Sequence, residues 1–146
     1  RSKAAIRSSA KRQFSDPSIA AAALKASPER LLGDFETFGF LFESLAVRDV
    51  RAYATPIGGE VLHYRDETGL ESDMIVQLKD GRWGAIEMKL GGRLIDEAAE
   101  HLRALWSKID TSKVGNPSFL MVLTGTGFAY RRKDGVLVCP IGCLKP

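Results

Sequence analysis

Cysteine and histidine are both scarce. Cys139 and Cys143 are the only thiols and His63 and His101 the only imidazoles in 146 residues. One C-x-x-x-C with no further ligands is a poor metal site. Two histidines without His-x-His or His-x-x-x-His spacing do not make a zinc hydrolase, and two thiols in a chain this size read as reduced core residues of a cytoplasmic protein. No apolar run is long enough to cross a membrane and no signal-peptide pattern is present, so a membrane is not an expected partner. The "GTGF" of residues 125–128 has too few glycines and no following Lys-Ser/Thr, which excludes a P-loop. Ser44, Ser72 and Ser107 lack the partners of a nucleophilic triad. Basic charge is also thin outside one segment: the first twelve residues carry Arg1, Lys3, Arg7, Lys11 and Arg12 with no acid, against a net charge of +3, so the remainder nets −2. Residues 1–12 therefore read as a basic leader or linker, and a start at Arg rather than Met favours a piece of a larger protein.

What is present describes one domain, residues 13–146, with 45% hydrophobic and 27% charged residues and enough length to bury a core. Asp16 before Pro17 signals a helix start into an alanine-rich run, and Ser27-Pro28 begins a short turn ending at Gly33. Asp34 caps a longer helix whose Phe35, Phe38, Phe42 and Leu45 are expected to form the apolar stripe, with Glu43 at its border. A strand follows over 60–66. Residues 93–110 place Ile95, Ala98, Ala99, Leu102, Leu105, Trp106 and Ile109 on one helical face that should pack on the sheet. The nearly continuous apolar run after Asn116-Pro117 predicts a central strand buried on both faces. A terminal hairpin turns on Lys133-Asp134-Gly135, and Tyr130 beside Arg131, Arg132 and Lys133 is the one arrangement suited to a phosphate backbone.

Residues 71–90, "ESDMIVQLKDGRWGAIEMKL", carry the chemistry. A three-residue loop at Lys79-Asp80-Gly81, closed by glycine in the left-handed conformation, pairs Leu78 with Arg82 and Ile75 with Ala85. Asp73 then faces Glu87, with Lys89 on the same face, while Met74, Val76, Leu78, Ile86, Met88 and Leu90 make the other face apolar. A two-residue turn would put the acids on opposite faces. Two like charges about 5 Å apart repel by roughly 3 kcal/mol at an effective dielectric near 20. A divalent cation, a proton held by a raised pKa, or a neighbouring Lys or Arg could each offset that repulsion, and a salt-bridge cluster around Lys89 or a solvated sheet face would be the plain structural outcome.

The order helix, three strands, helix, strand, with an acid on the helix, Asp73 on the second strand and Glu87-x-Lys89 on the third, resembles the PD-(D/E)XK nuclease superfamily. More closely, the run from "FSDPSIAAAAL" through "FGFLFESLAVRDVRAYA" to "ESDMIVQL" and "AIEMKL" resembles the nuclease-like C-terminal domain of a group of prokaryotic AAA-family ATPases. That resemblance implies an α/β fold with a restriction-endonuclease-like core, a mixed central β-sheet flanked by helices in α-β-β-β-α-β order. It implies Mg²⁺ or Mn²⁺ held by Asp73 and Glu87, with Glu43 holding a metal-bound water and Lys89 orienting the attacking water. It further implies a nucleic-acid partner contacted by Arg131, Arg132 and Lys133, and an N-terminal ATPase domain in the same chain, where any ATP would bind. Two functions are compatible with it: phosphodiester hydrolysis or DNA docking by a metal-dependent nuclease-like domain, and a catalytically silent module that binds DNA or a protein partner and regulates the ATPase. Ser72 stands where the superfamily's name has proline. The glutamine-tyrosine motif of some nuclease branches has no match on the second long helix, where Glu97, Glu100 and His101 stand instead.

Overall fold

A computed structural model describes residues 12–145. The basic leader falls almost wholly outside those residues. Three helices come first, α1 (Pro17–Ala23), α2 (Pro28–Gly33) and α3 (Phe35–Ala54), followed by three strands, β1 (Gly59–Arg65), β2 (Glu71–Leu78) and β3 (Trp83–Lys89). Helix α4 (Ile95–Lys108) and a single turn α5 (Thr111–Val114) lead into β4 (Phe119–Thr124), β5 (Tyr130–Arg131) and β6 (Leu137–Pro140). The strands form one mixed sheet in the order β1-β2-β3-β4-β6-β5, antiparallel from β1 to β3, parallel from β3 through β4 to β6, and antiparallel again at β5.

Local signals set the helix starts. The Asp16 carboxylate accepts the Ser18 N–H, Ser27 Oγ accepts the Arg30 N–H, and Asp34 accepts the Thr37 N–H, each satisfying an orphan donor of a first turn. Both hairpins use the same loop. The Leu78 N–H donates to the Arg82 carbonyl and the Arg132 N–H to the Val136 carbonyl, each loop closing through a glycine at φ +89°, Gly81 and Gly135. In each, the loop aspartate accepts a backbone N–H two residues on, Asp80 from Arg82 and Asp134 from Val136. A side chain at either glycine would strain the turn that sets the register.

The sheet separates two apolar layers. On one face, Phe42, Ala46, Val47 and Val50 of α3 pack on Met74, Ile86, Met88, Met121 and Leu123. On the other, Ala98, Ala99, Leu102 and Leu105 of α4 pack on Trp83, Ala85, Leu120, Val122 and Val138. Burying each large aliphatic side chain contributes roughly 1.5–3 kcal/mol, which holds both helices against the sheet. Strand β4 is central and buried, as its apolar run predicts.

Two sequence expectations need correction. The stripe of α3 is Phe42, Ala46, Val47, Val50 and Ala54, and Phe35 is 65% exposed. The helix packs on the sheet from Phe42 onward, so Phe35 in its first turn stays exposed. Trp106 is 40% exposed, because Leu102 and Leu105 fill the contact and the indole falls on the flank of α4. The turn α5 also had no signal beyond Asp110, whose carboxylate accepts the Ser112 N–H.

Candidate functional site

The loop at Lys79-Asp80-Gly81 places Met74 opposite Ile86, Ile75 opposite Ala85 and Gln77 opposite Trp83. The regular ladder stops at Met74 and Ile86, and a side chain takes over beyond it: Asp73 Oδ2 accepts the Met88 N–H at 2.8 Å. Ser72 Oγ, fully buried, donates toward the Met74 and Ile86 carbonyls at 3.2 and 3.3 Å. These bonds tie the ends of β2 and β3 together where their backbones stop pairing.

Glu87 pairs with Val122 and reaches His101, which puts it on the face beneath α4, and Asp73 lies against it where the β1–β2 register shifts opposite Ser72–Ile75. Glu87 is only 4% exposed. Its Oε1 lies 3.1 Å from Nδ1 of His101 on α4, and its Oε2 lies 3.9 Å from the Lys89 ammonium. Burial, and next the Asp73 charge, push the Glu87 carboxyl up to about 8; Lys89 pulls the other way, while a side-chain hydrogen bond with Asp73 and the charge of Glu71 add to the rise. Near neutral pH the pair therefore holds a proton, which relieves the repulsion expected of two adjacent carboxylates.

The structure thus brings Asp73, Glu87 and Lys89 together. Glu43 belongs to α3, in the helical layer over the opposite face, where it lines a groove of about 560 Å³ between α1 and α3 with Gln13, Phe14, Ala20, Leu41 and Ser44. His101 is the member that sequence reasoning passed over as an isolated helical histidine. Its signal was positional: it adjoins the buried Leu102 and follows Ala98 by three residues, at the border of the α4 face that packs over the acidic hairpin. Among the described residues no group of three or more His, Cys, Asp and Glu side chains could hold a metal ion, so the site offers two carboxylates and no more.

The basic triplet divides. Arg132 is committed to Asp134, with Nη2 to Oδ2 at 3.1 Å, and to Asp96 of α4 through a short contact. Arg131 and Lys133 are exposed. Tyr130 shares a rung with the acidic site: Glu87 pairs with Val122, Val122 with Val138 and Val138 with Tyr130. Three strand spacings of about 4.8 Å put Tyr130 roughly 14 Å from Glu87 on the same face. Phe128, in the loop from β4 to β5, is 87% exposed.

Residues 38–144 match the family model of a domain of unknown function, DUF4143. The chain belongs to that family. The matched span starts inside α3 and takes in Glu43, Asp73, Glu87, Lys89 and His101 together with the whole sheet, leaving α1 and α2 outside. No match was found among curated proteins or among solved structures. Among the described residues no helix is long and apolar enough to cross a membrane.

Proposed function

We propose that this member of DUF4143 is a metal-dependent nuclease-like domain with a restriction-endonuclease-like core of the PD-(D/E)XK type, acting on or docking to nucleic acid for an attached AAA-family ATPase. One observation carries the reading: Asp73 and Glu87 lie side by side, with Lys89 next to them, at the carboxyl end of β3, where β3 and β4 run parallel. The carboxyl ends of parallel strands are where open α/β sheets place their ligands.

The donor set fits Mg²⁺ or Mn²⁺. Both are hard cations that take one or two carboxylates and keep waters and substrate oxygens as their remaining ligands. Glu87 holding a proton up to about 8 fits as well, since a divalent ion can replace that proton as the charge that keeps two buried acids together. Asp73 and Glu87 would hold the ion. When bound, it supplies polarisation of the scissile phosphate and a water of lowered pKa. Lys89 is placed to orient that water and to offset charge growing on the phosphate, while Glu43, in the helical layer over the other face, has no part in this site. Arg131 and Lys133 serve the nucleic-acid backbone, and Tyr130 and Phe128 offer aromatic faces to bases. ATP belongs to the attached ATPase.

A second reading has its own support. Lys89 and His101 both face the Glu87 carboxylate and can offset its charge in place of a cation, which suits a silent module that binds DNA or a protein partner and regulates the ATPase. Calorimetric titration of Mg²⁺ and Mn²⁺ into the wild type and into an Asp73→Ala, Glu87→Ala double variant, followed by plasmid nicking, separates the two. Binding that vanishes in the variant, together with nicking, supports the nuclease; no heat in the wild type leaves the silent module.

A further inference from the structure

The two oxygens of Glu87 are not equivalent. Oε1 faces Nδ1 of His101 at 3.1 Å, a hydrogen-bond distance, whereas Oε2 faces the Lys89 ammonium at 3.9 Å, beyond one. Lys89 contributes charge to Oε2 without a hydrogen bond, so an ion held between Asp73 and Glu87 would displace no Lys89 hydrogen bond from that oxygen. His101 is delivered from a rigid support, since Ala98, Ala99, Leu102 and Leu105 fix α4 on the sheet. An imidazole carrying its proton on Nδ1 donates to Oε1 and holds the carboxylate plane in one orientation.

A carboxylate with one oxygen already engaged binds a cation through the other. That geometry suits Mg²⁺, which demands near-ideal octahedral positions at about 2.0–2.1 Å; Ca²⁺ takes about 6–8 oxygens at longer range and often claims both oxygens of one carboxylate. We propose that His101 is a positioning residue that restricts Glu87 to ligation through Oε2 and so biases the Asp73–Glu87 site towards Mg²⁺ and Mn²⁺ and against Ca²⁺. This rests on the metal-site reading above. It goes beyond it by assigning ion selectivity to a side chain that is not itself a ligand. Groups behind a ligand commonly change metal affinity by about 10–100-fold when removed.

The test is calorimetric titration of Mg²⁺ and of Ca²⁺ into the wild type and the His101→Ala, His101→Asn and His101→Gln variants, with circular dichroism as the check on folding. An asparagine amide reaches about where Nδ1 sits, and a glutamine amide reaches further, towards the position of Nε2. His101→Ala is expected to weaken Mg²⁺ about 10-fold and to leave Ca²⁺ unchanged or tighter. His101→Asn should restore most of the Mg²⁺-to-Ca²⁺ preference and His101→Gln less. If alanine unfolds the domain, the asparagine and glutamine pair decides. An unchanged ratio in all variants, or an equal loss for both ions, overturns the inference and leaves the metal site standing. No heat from either ion in the wild type removes the metal site and this inference with it.

Discussion

The carboxylate of Asp73 accepts the backbone N–H of Met88 at 2.8 Å, doing for β3 what a ladder carbonyl of β2 does for the residues before it. The same side chain that would bind an ion therefore also closes the sheet. Metal binding and folding can be separated at this position. Asp73→Ala leaves the Met88 N–H without its partner, at a cost of about 1–3 kcal/mol. Asp73→Asn keeps an acceptor there and removes the charge. Thermal melts should show the alanine variant clearly below wild type and the asparagine variant within a few degrees of it, while calorimetry shows metal binding lost in both. Equal melting temperatures for alanine and wild type would mean that the bond contributes nothing.

The raised pKa of Glu87 gives the protein a pH dependence of definite sign. The folded carboxyl titrates near 8 and its ordinary value is 4.5, so the folded state binds the proton more tightly than the unfolded state. Stability from this group is fully present below about 4.5 and is lost as pH rises through about 8. Glu87→Gln, which is neutral throughout and keeps an oxygen for His101, should match the wild type near pH 5 and melt higher near pH 9 in the presence of a chelator, by ~5 °C or more. Two melting curves that stay parallel from pH 5 to 9 would show that Glu87 is ionised across the whole range.

Much of this arrangement was legible in the residues because local chemistry decided it. The glycine at the end of each Lys-Asp-Gly loop sets a three-residue turn and the turn sets the register as far as Met74 and Ile86, beyond which Asp73 meets Glu87 outside the regular ladder. Caps at Asp16, Ser27 and Asp34 are equally local. What depended on how far one layer extends over another was not legible. Phe35 belongs to the apolar spacing of α3 but precedes the part of the helix that packs on the sheet, and Trp106 shares a face with residues that crowd it out. His101 shows the same limit from the polar side: its contact with Glu87 depends on where α4 crosses β3, which no spacing within α4 reports.

The basic triplet on the terminal hairpin should split by role. Arg132 is held by Asp134 and Asp96 with its side chain 21% exposed, so Arg132→Ala should destabilise the fold by about 1–2 kcal/mol. Arg131→Ala and Lys133→Ala should leave the melting temperature unchanged and each lower the salt dependence of DNA affinity by about one unit of slope. Affinity that ignores both exposed cations would turn attention to a protein partner for this edge of the sheet.

Lys89 allows chemistry to be distinguished from ion binding. Its ammonium is 3.9 Å from the Glu87 oxygen that an incoming ion would use, so it competes with that ion for the same charge. Lys89→Met keeps most of the apolar stem and removes the cation. Mg²⁺ affinity in this variant should be equal to wild type or higher. If Lys89 orients water and offsets charge on the phosphate, nicking of plasmid DNA should nevertheless fall by about 10²–10³-fold. Opposite movements of binding and rate are what an ion-pair partner with no catalytic task cannot produce, because such a partner would alter affinity and leave turnover of the loaded domain alone. Nicking by the methionine variant at the wild-type rate would strike Lys89 from the reaction and leave it as the counter-charge of a buried acid.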